Sequence, residues 1–125
     1  MNDKQRDSQS GKFDYDLLND TLHVRHVECE CVSSMMLDDI ILDMNEDNKF
    51  IGVEVPKASK KYGVHKHELL SPIGLDYDIK ISDNVVRVEL KLTVKKRNHP
   101  VVRTTSAAGT NDMNLAPASA RLIFK

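Results

Sequence analysis

From Leu75 to Lys95 apolar and polar side chains exchange places at almost every step. Leu75, Tyr77, Ile79 and Ile81 alternate with Asp76, Asp78 and Lys80, and Val86, Val88, Leu90, Leu92 and Val94 alternate with Arg87, Glu89, Lys91, Thr93 and Lys95. A period of two marks an extended strand with one buried face, because successive side chains point to opposite sides of the backbone. The break at Asp83-Asn84 makes the two runs a hairpin, and its register follows from the pattern. A two-residue turn sets Ile81 against Val86, Ile79 against Val88, Tyr77 against Leu90 and Leu75 against Leu92, whereas a three-residue turn sets apolar against charged. The same register places Asp76 opposite Lys91. This stretch can only be an antiparallel sheet with one wet face.

The rest of the chain reads as further strands. Tryptophan is absent and aromatics are 5% of 125 residues, so the core must come from Val, Ile, Leu and Met. A chain this long buries such a core without disulfides or a structural metal. Residues 1–11 hold one apolar side chain and read as a disordered tail. Phe13 to Arg25 read as a strand, a turn at Asn19-Asp20 and a second strand with Leu22 and Val24 facing in. Val27, Cys29 and Cys31 share one parity and suit a third strand, with a bulge near His26 where the inward parity flips. Beyond Met35 to Leu37, a buried run at Ile40 to Leu42 pairs with Phe50 to Val55 across a polar turn in which Asn48 takes a left-handed conformation. A short helix fits Pro56 to Tyr62, ended by Gly63, and a second helical turn fits His65 to Ser71. After a turn at Arg97 to Pro100 come a strand from Val101 to Ser106, a loop over 107–119 and a last strand from Arg121 to Phe124. The expected fold class is α+β, mostly antiparallel β-hairpins in one or two sheets with one short helical segment. Its divisions are a tail at 1–11, a β-hairpin and helix module at 12–71, and an antiparallel β extension at 72–125 packed on it as one compact unit.

Several pieces recur in a fixed order: Tyr15-Asp16, Asn19-Asp20-Thr21-Leu22-His23-Val24-Arg25, Asp39-Ile40-Ile41-Leu42-Asp43, Ile51-Gly52-Val53-Glu54-Val55 and Lys57-Ala58-Ser59. Over residues 13 to 62 this order resembles a family of small prokaryotic domains of unknown function, in which Asn48 here replaces the usual turn glycine. The resemblance implies an α+β fold, offers no catalytic residues to carry over, and implies binding to a protein partner.

Candidate chemistry is sparse. Asp43 to Glu54 places oxygen ligands at positions 1, 3, 5 and 12 of a calcium-loop template, but Asn48 stands where the template needs glycine and the flanks are strands. In a hairpin Glu54 lies about 20 Å along the return strand from the turn. His23, His26, Cys29 and Cys31 have the type and number of a zinc ligand set, although His23 and His26 face opposite ways on a continuous strand. His65, His67 and Glu68 form a smaller cluster of the same kind. No strained glycine elbow positions a nucleophile, and the five glycines are too scattered to cradle a phosphate. No cofactor is expected.

Charge is unevenly distributed. Residues 1–79 carry 9 basic and 16 acidic side chains, and residues 80–125 carry 9 and 3. Lys91, Lys95, Lys96, Arg97 and Arg103 gather around one hairpin without the interleaved aromatics on which single-stranded nucleic acid stacks. Contact with nucleic acid through the phosphate backbone is the weaker alternative to a solvated strand face. The leading expectation is a non-enzymatic interaction module that binds another protein or itself, with Asp43, Asp47, Lys91, Lys95 and Arg97 as its surface. Metal binding, zinc or calcium, is the other alternative. The sequence shows neither a signal peptide nor a membrane-length apolar run, and its two cysteines are too close to bridge each other, so a reducing cytoplasmic setting is expected.

Overall fold

The computed structural model describes residues 11–26 and 33–124. Two antiparallel sheets account for most of them. The first contains β1 (Gly11–Asp16), β2 (Thr21–His26), β3 (Ser33–Leu37), β4 (Ile40–Met44) and β5 (Phe50–Val55) in the order β1-β2-β5-β4-β3. The second contains β6 (Gly74–Ile81), β7 (Val85–Lys96), β8 (His99–Thr110) and β9 (Ala118–Phe124) in the order β8-β7-β6-β9. A five-residue helix, α1 (Ala58–Tyr62), and a 3₁₀ helix, Lys66–Leu70, fill the connection between the sheets. The α+β expectation of antiparallel hairpins with a short helical segment holds.

The β6–β7 pairing reproduces the register read from the sequence, from Ile81 with Val86 through Leu75 with Leu92, including Asp76 opposite Lys91. The inward side chains of both sheets meet in one core. Leu22, Val24, Leu37, Ile40, Leu42, Val53 and Val55 from the first sheet pack with Leu75, Tyr77, Ile79, Val88, Leu90 and Leu92 from the second. Each fully buried aliphatic side chain contributes about 1.5–3 kcal/mol relative to exposure. At the rims β1 lies against β9 and β3 against β8.

Local chemistry explains the boundaries. Gly63 ends α1 in the left-handed conformation (φ 67°), and the Val64 amide donates to the Ser59 carbonyl at 3.0 Å. Asn48 adopts φ 61° in the β4–β5 turn, as expected, and Arg97-Asn98 (φ 50° and 67°) turn β7 into β8. In the β1–β2 turn Asp20 is also left-handed, with φ 53°. Its buried carboxylate accepts hydrogen bonds from the Tyr15 hydroxyl (2.5 Å), the Ser59 hydroxyl (2.6 Å) and the Ser59 amide (3.0 Å), fastening the first hairpin to α1.

Ser33–Leu37, to which the sequence pattern assigns no element, is a strand that pairs with β4 through the Asp38-Asp39 turn. Some expectations need correction. Ile41 points away from the core and only Ile40 and Leu42 are fully buried, so the apolar run at 40–42 is an ordinary alternating strand. Residues 107–119 are not one loop: β8 continues to Thr110 and β9 begins at Ala118. β8 approaches β3 at Gly109, where an added Cβ would lie 2.7 Å from Leu37 Cδ2. The loop that remains is tied down by buried Asn111, whose amide nitrogen donates to the carbonyls of Ser82 and Leu115 and whose oxygen accepts from the Leu115 amide. Of the tail expected at 1–11, Gly11 instead begins β1, and residues 1–10, the strand expected at Val27 to Cys31 and most of the parity change near His26 lie outside the described residues. Among the described residues no helix is long and apolar enough to cross a membrane.

Candidate metal centre

On the face of the first sheet turned away from the core, strand register sets two rows of side chains side by side. His23 of β2 pairs with Asp14 of β1 on one side and Glu54 of β5 on the other. In the neighbouring row Arg25 faces Gly52, which faces Asp43 of β4. Asp43 therefore lies two strands from His23, with only a glycine between.

Two features close that gap. The β4–β5 register shifts after Asp43, so that Gly52 opposes Asp43 while Phe50 opposes Met44, leaving Ile51 as an extra residue in β5. Such a bulge sharpens local twist and re-aims neighbouring side chains. At Gly52 the absence of a side chain lets β2 approach closely, since a Cβ there would lie 2.8 Å from the Val24 carbonyl oxygen.

The result is a cluster of one imidazole and two carboxylates. His23 Nε2 is 3.6 Å from Asp43 Oδ2 and 3.9 Å from Glu54 Oε2, and one donor atom from each residue lies within 4.8 Å of the others. Asp43 is only 3% exposed. The Ser34 hydroxyl donates to its Oδ1 at 3.1 Å, leaving Oδ2 turned toward the imidazole. His23 Nε2 is buried and, among the described residues, makes no hydrogen bond. Beside it an open groove of about 380 Å³ is lined by Lys12, Asp14, His23 and Arg25.

One imidazole nitrogen and two carboxylate oxygens on three adjacent strands are donors for a divalent cation. Around tetrahedral zinc such donors stand about 3.3 Å apart, given metal–ligand distances of about 2.0–2.1 Å. The imidazole–carboxylate separations of 3.6 and 3.9 Å are close to that spacing, and all three donors lie within 4.8 Å of one another. Calcium prefers an all-oxygen shell of six to eight ligands, so an imidazole at the centre favours zinc or another transition ion.

The residues singled out in the sequence fall into separate places. His23 is in the cluster, whereas the side chain of His26, together with Cys29 and Cys31, lies outside the described residues. Asp43, expected at the solvent surface, is buried in the cluster. Asp47 sits at the tip of the β4–β5 turn, where its amide donates to Asn45 Oδ1 at 2.9 Å. Lys91 and Lys95 are exposed on the outward face of the second sheet, and Arg97 occupies its β7–β8 turn. The structure does not gather Asp43, Asp47, Lys91, Lys95 and Arg97 on one surface. Glu54 joins the site as the cross-strand partner of His23. It and Asp43 are positions 12 and 1 of the calcium-loop template, and they meet as diagonal neighbours across a hairpin instead of around an ion-binding loop.

Over 111 residues the chain is 32% identical to a protein of Methanosarcina mazei that carries the name "Putative hypoxanthine phosphoribosyltransferase", and the match covers 89% of this chain and 90% of that one. The chain belongs to that protein's family. Within the family, an uncharacterized protein of Methanocaldococcus jannaschii is 30% identical over 105 residues, covering 83% of this chain and 90% of the other. Residues 12–59 match DUF2283, a protein family of unknown function, and this module contains His23, Asp43 and Glu54 as well as the Asp20–Ser59 contact. The resemblance to an unknown-function prokaryotic family is thereby supported, and no solved structure matches the chain.

Proposed function

We propose that this family member is a divalent-metal-binding β-sandwich protein whose cation is held by His23, Asp43 and Glu54. The observation that carries this reading is the convergence of two carboxylates on a buried imidazole nitrogen that, among the described residues, has no hydrogen-bond partner. Three protein ligands leave at least one coordination position for water, on the side where His23 and Glu54 remain about one-third exposed. Purified full-length protein, stripped with chelator, is expected to bind one equivalent of zinc by calorimetry. His23→Ala and Glu54→Gln should each weaken that binding at least tenfold, while Cys29→Ser/Cys31→Ser should leave it unchanged. With cobalt as the probe, the spectrum should lack thiolate charge transfer. Loss of zinc in the cysteine variant, with none in His23→Ala, would overturn the assignment.

The transferase name carried by the M. mazei relative is said of that protein, and among the described residues no glycine-rich loop opens into a helix. Phosphate groups are commonly held by a glycine-rich loop opening into a helix, whereas both described helices are five residues long and follow Lys57 and His65.

A second reading, self-association, is favoured by one specific feature. β8 is a twelve-residue edge strand, its last seven residues, Thr104 to Thr110, carry no charge, and Val102 is 60% exposed. Natural edges are normally blunted by charge or proline; here Pro100 and Arg103 stand in the first half, and in the second Gly109 lies against Leu37 of β3. The occupant that fits is β8 of a second copy, paired antiparallel about a two-fold axis. Sedimentation at tens of micromolar should show a dimer, and Ser106→Lys, which sets like charges near each other across that axis, should return it to monomer. A monomeric parent chain would end this reading.

A further inference from the structure

The end of the β7–β8 hairpin and the 3₁₀ helix enclose a cleft of about 500 Å³, within the range of small-molecule sites. One wall presents Lys95, Lys96 and Arg97, and the other presents His65 and His67. The cations are not neutralised locally, since among the described residues Lys95, Lys96 and Arg97 form no ion pair with a carboxylate.

Glu68 is the single carboxylate in the lining, and it is already engaged. Its Oε1 accepts the His65 amide at 2.8 Å, closing the start of the 3₁₀ helix. That hydrogen bond chiefly, with the charges of Lys96, His65 and His67, holds the Glu68 carboxyl below its ordinary range in spite of slight desolvation. The opposite wall is equally ordered. The His65 and His67 rings stack with centroids 5.5 Å apart and planes 11° from parallel, and their ring N–H groups, with the Ser71 hydroxyl, add donors to the lining. Arg97 is fixed by the left-handed Arg97-Asn98 turn, a two-residue connection that leaves its backbone little freedom.

Converging donors with an excess of positive charge recognise a multiply charged oxyanion, and guanidinium and ammonium groups together match phosphate. We propose that this cleft binds a phosphate-bearing ligand through Lys95, Lys96 and Arg97, with His65 and His67 as the facing donors. The phosphate can belong to a small phosphorylated molecule or to a nucleic-acid backbone, and the lining offers no Trp, Tyr or Phe on which a base would stack.

The test uses full-length protein with chelator present, so that the His23 cluster contributes nothing. Inorganic pyrophosphate and a short oligothymidylate are titrated separately at low salt, and the cleft is followed through the His65 and His67 ring resonances. Saturable pyrophosphate binding that Lys96→Gln/Arg97→Gln weakens at least tenfold, with Lys91→Gln on the open sheet face as an unaffected control, supports the cleft and a small ligand. Oligothymidylate binding that depends on the same two residues, with pyrophosphate inert, supports the cleft and assigns its phosphate to nucleic acid. Silence of both probes, or an equal loss in Lys91→Gln, overturns the proposal.

Discussion

Asp20→Ala is expected to lower the unfolding free energy by about 3–5 kcal/mol, among the largest losses any single polar side chain here can produce. The carboxylate is 8% exposed and accepts three hydrogen bonds, two of them from Ser59, 39 residues away. Truncation removes charge-assisted bonds and leaves the Tyr15 hydroxyl and the Ser59 amide facing an empty space. It also leaves alanine at φ 53°, a conformation costing about 1 kcal/mol more for a residue without a short polar side chain. Asp20→Asn separates these effects. It keeps an acceptor and tolerates the left-handed backbone, so its loss should be about half that of alanine.

The same carboxylate gives the fold an acid limb. Burial raises the proton affinity of Asp20, but the hydrogen bonds from Ser59 and Tyr15 and the charge of Lys66 outweigh it and hold the carboxyl below its ordinary value of 3.8. A group whose folded-state affinity for protons is depressed binds more protons when unfolded, so its stabilisation is complete above the unfolded value and disappears as pH falls through the folded one. Urea midpoints should therefore decline below about pH 4 in the parent chain. In Asp20→Asn this decline should be shallower, and an equally steep one would show that Asp20 is not its source. Tyr15 shifts in the complementary direction: burial first, then the hydrogen bond and the negative charge of Asp20, push its hydroxyl up and keep it a donor through alkaline pH.

What could be read from the sequence depended on whether local pattern or long-range register set the outcome. The β6–β7 pairing was legible residue by residue because every inward position is apolar and nearly every outward one is polar. β3 was not, because Met36 faces outward and is 65% exposed, which erases the alternation that Met35 and Leu37 alone cannot supply. The end of β8 was hidden for the opposite reason: Ala107-Ala108-Gly109 has almost no side chain from which to read a period, and its strand character comes from pairing with Val86 to Val88. Asp20 was visible as a turn residue but not as a lock, since nothing local announces Ser59. In the candidate site, His23 stood out by chemical type, while Glu54 became its neighbour through the β2–β5 register and Asp43 through the one-residue shift in the β4–β5 pairing.

Gly52 is where fold and site depend on the same atom, and Gly52→Ala is expected to cost about 2–3 kcal/mol. Its backbone is not left-handed, so the requirement is one of space. An added Cβ would lie 2.8 Å from the Val24 carbonyl oxygen and 3.1 Å from Arg25 Cβ, and because the closer atom belongs to the paired strand's backbone it cannot swing aside. β5 must therefore move from β2 just where the bulge sets the angle of Asp43, and the imidazole and carboxylates separate with it. The alanine variant should lose zinc affinity at least tenfold even at temperatures where it remains folded by circular dichroism. Gly63→Ala is the matched control: nothing lies within 4 Å of its added Cβ, and its penalty is only the φ 67° conformation, about 1 kcal/mol. If Gly52→Ala proves no less stable than Gly63→Ala, or binds zinc as the parent chain does, the close approach of β2 and β5 is not what builds the cluster. If it is both less stable than Gly63→Ala and poorer in zinc affinity than the parent chain, then the close approach of β2 to β5 at Gly52 is what holds His23 beside Asp43 and Glu54.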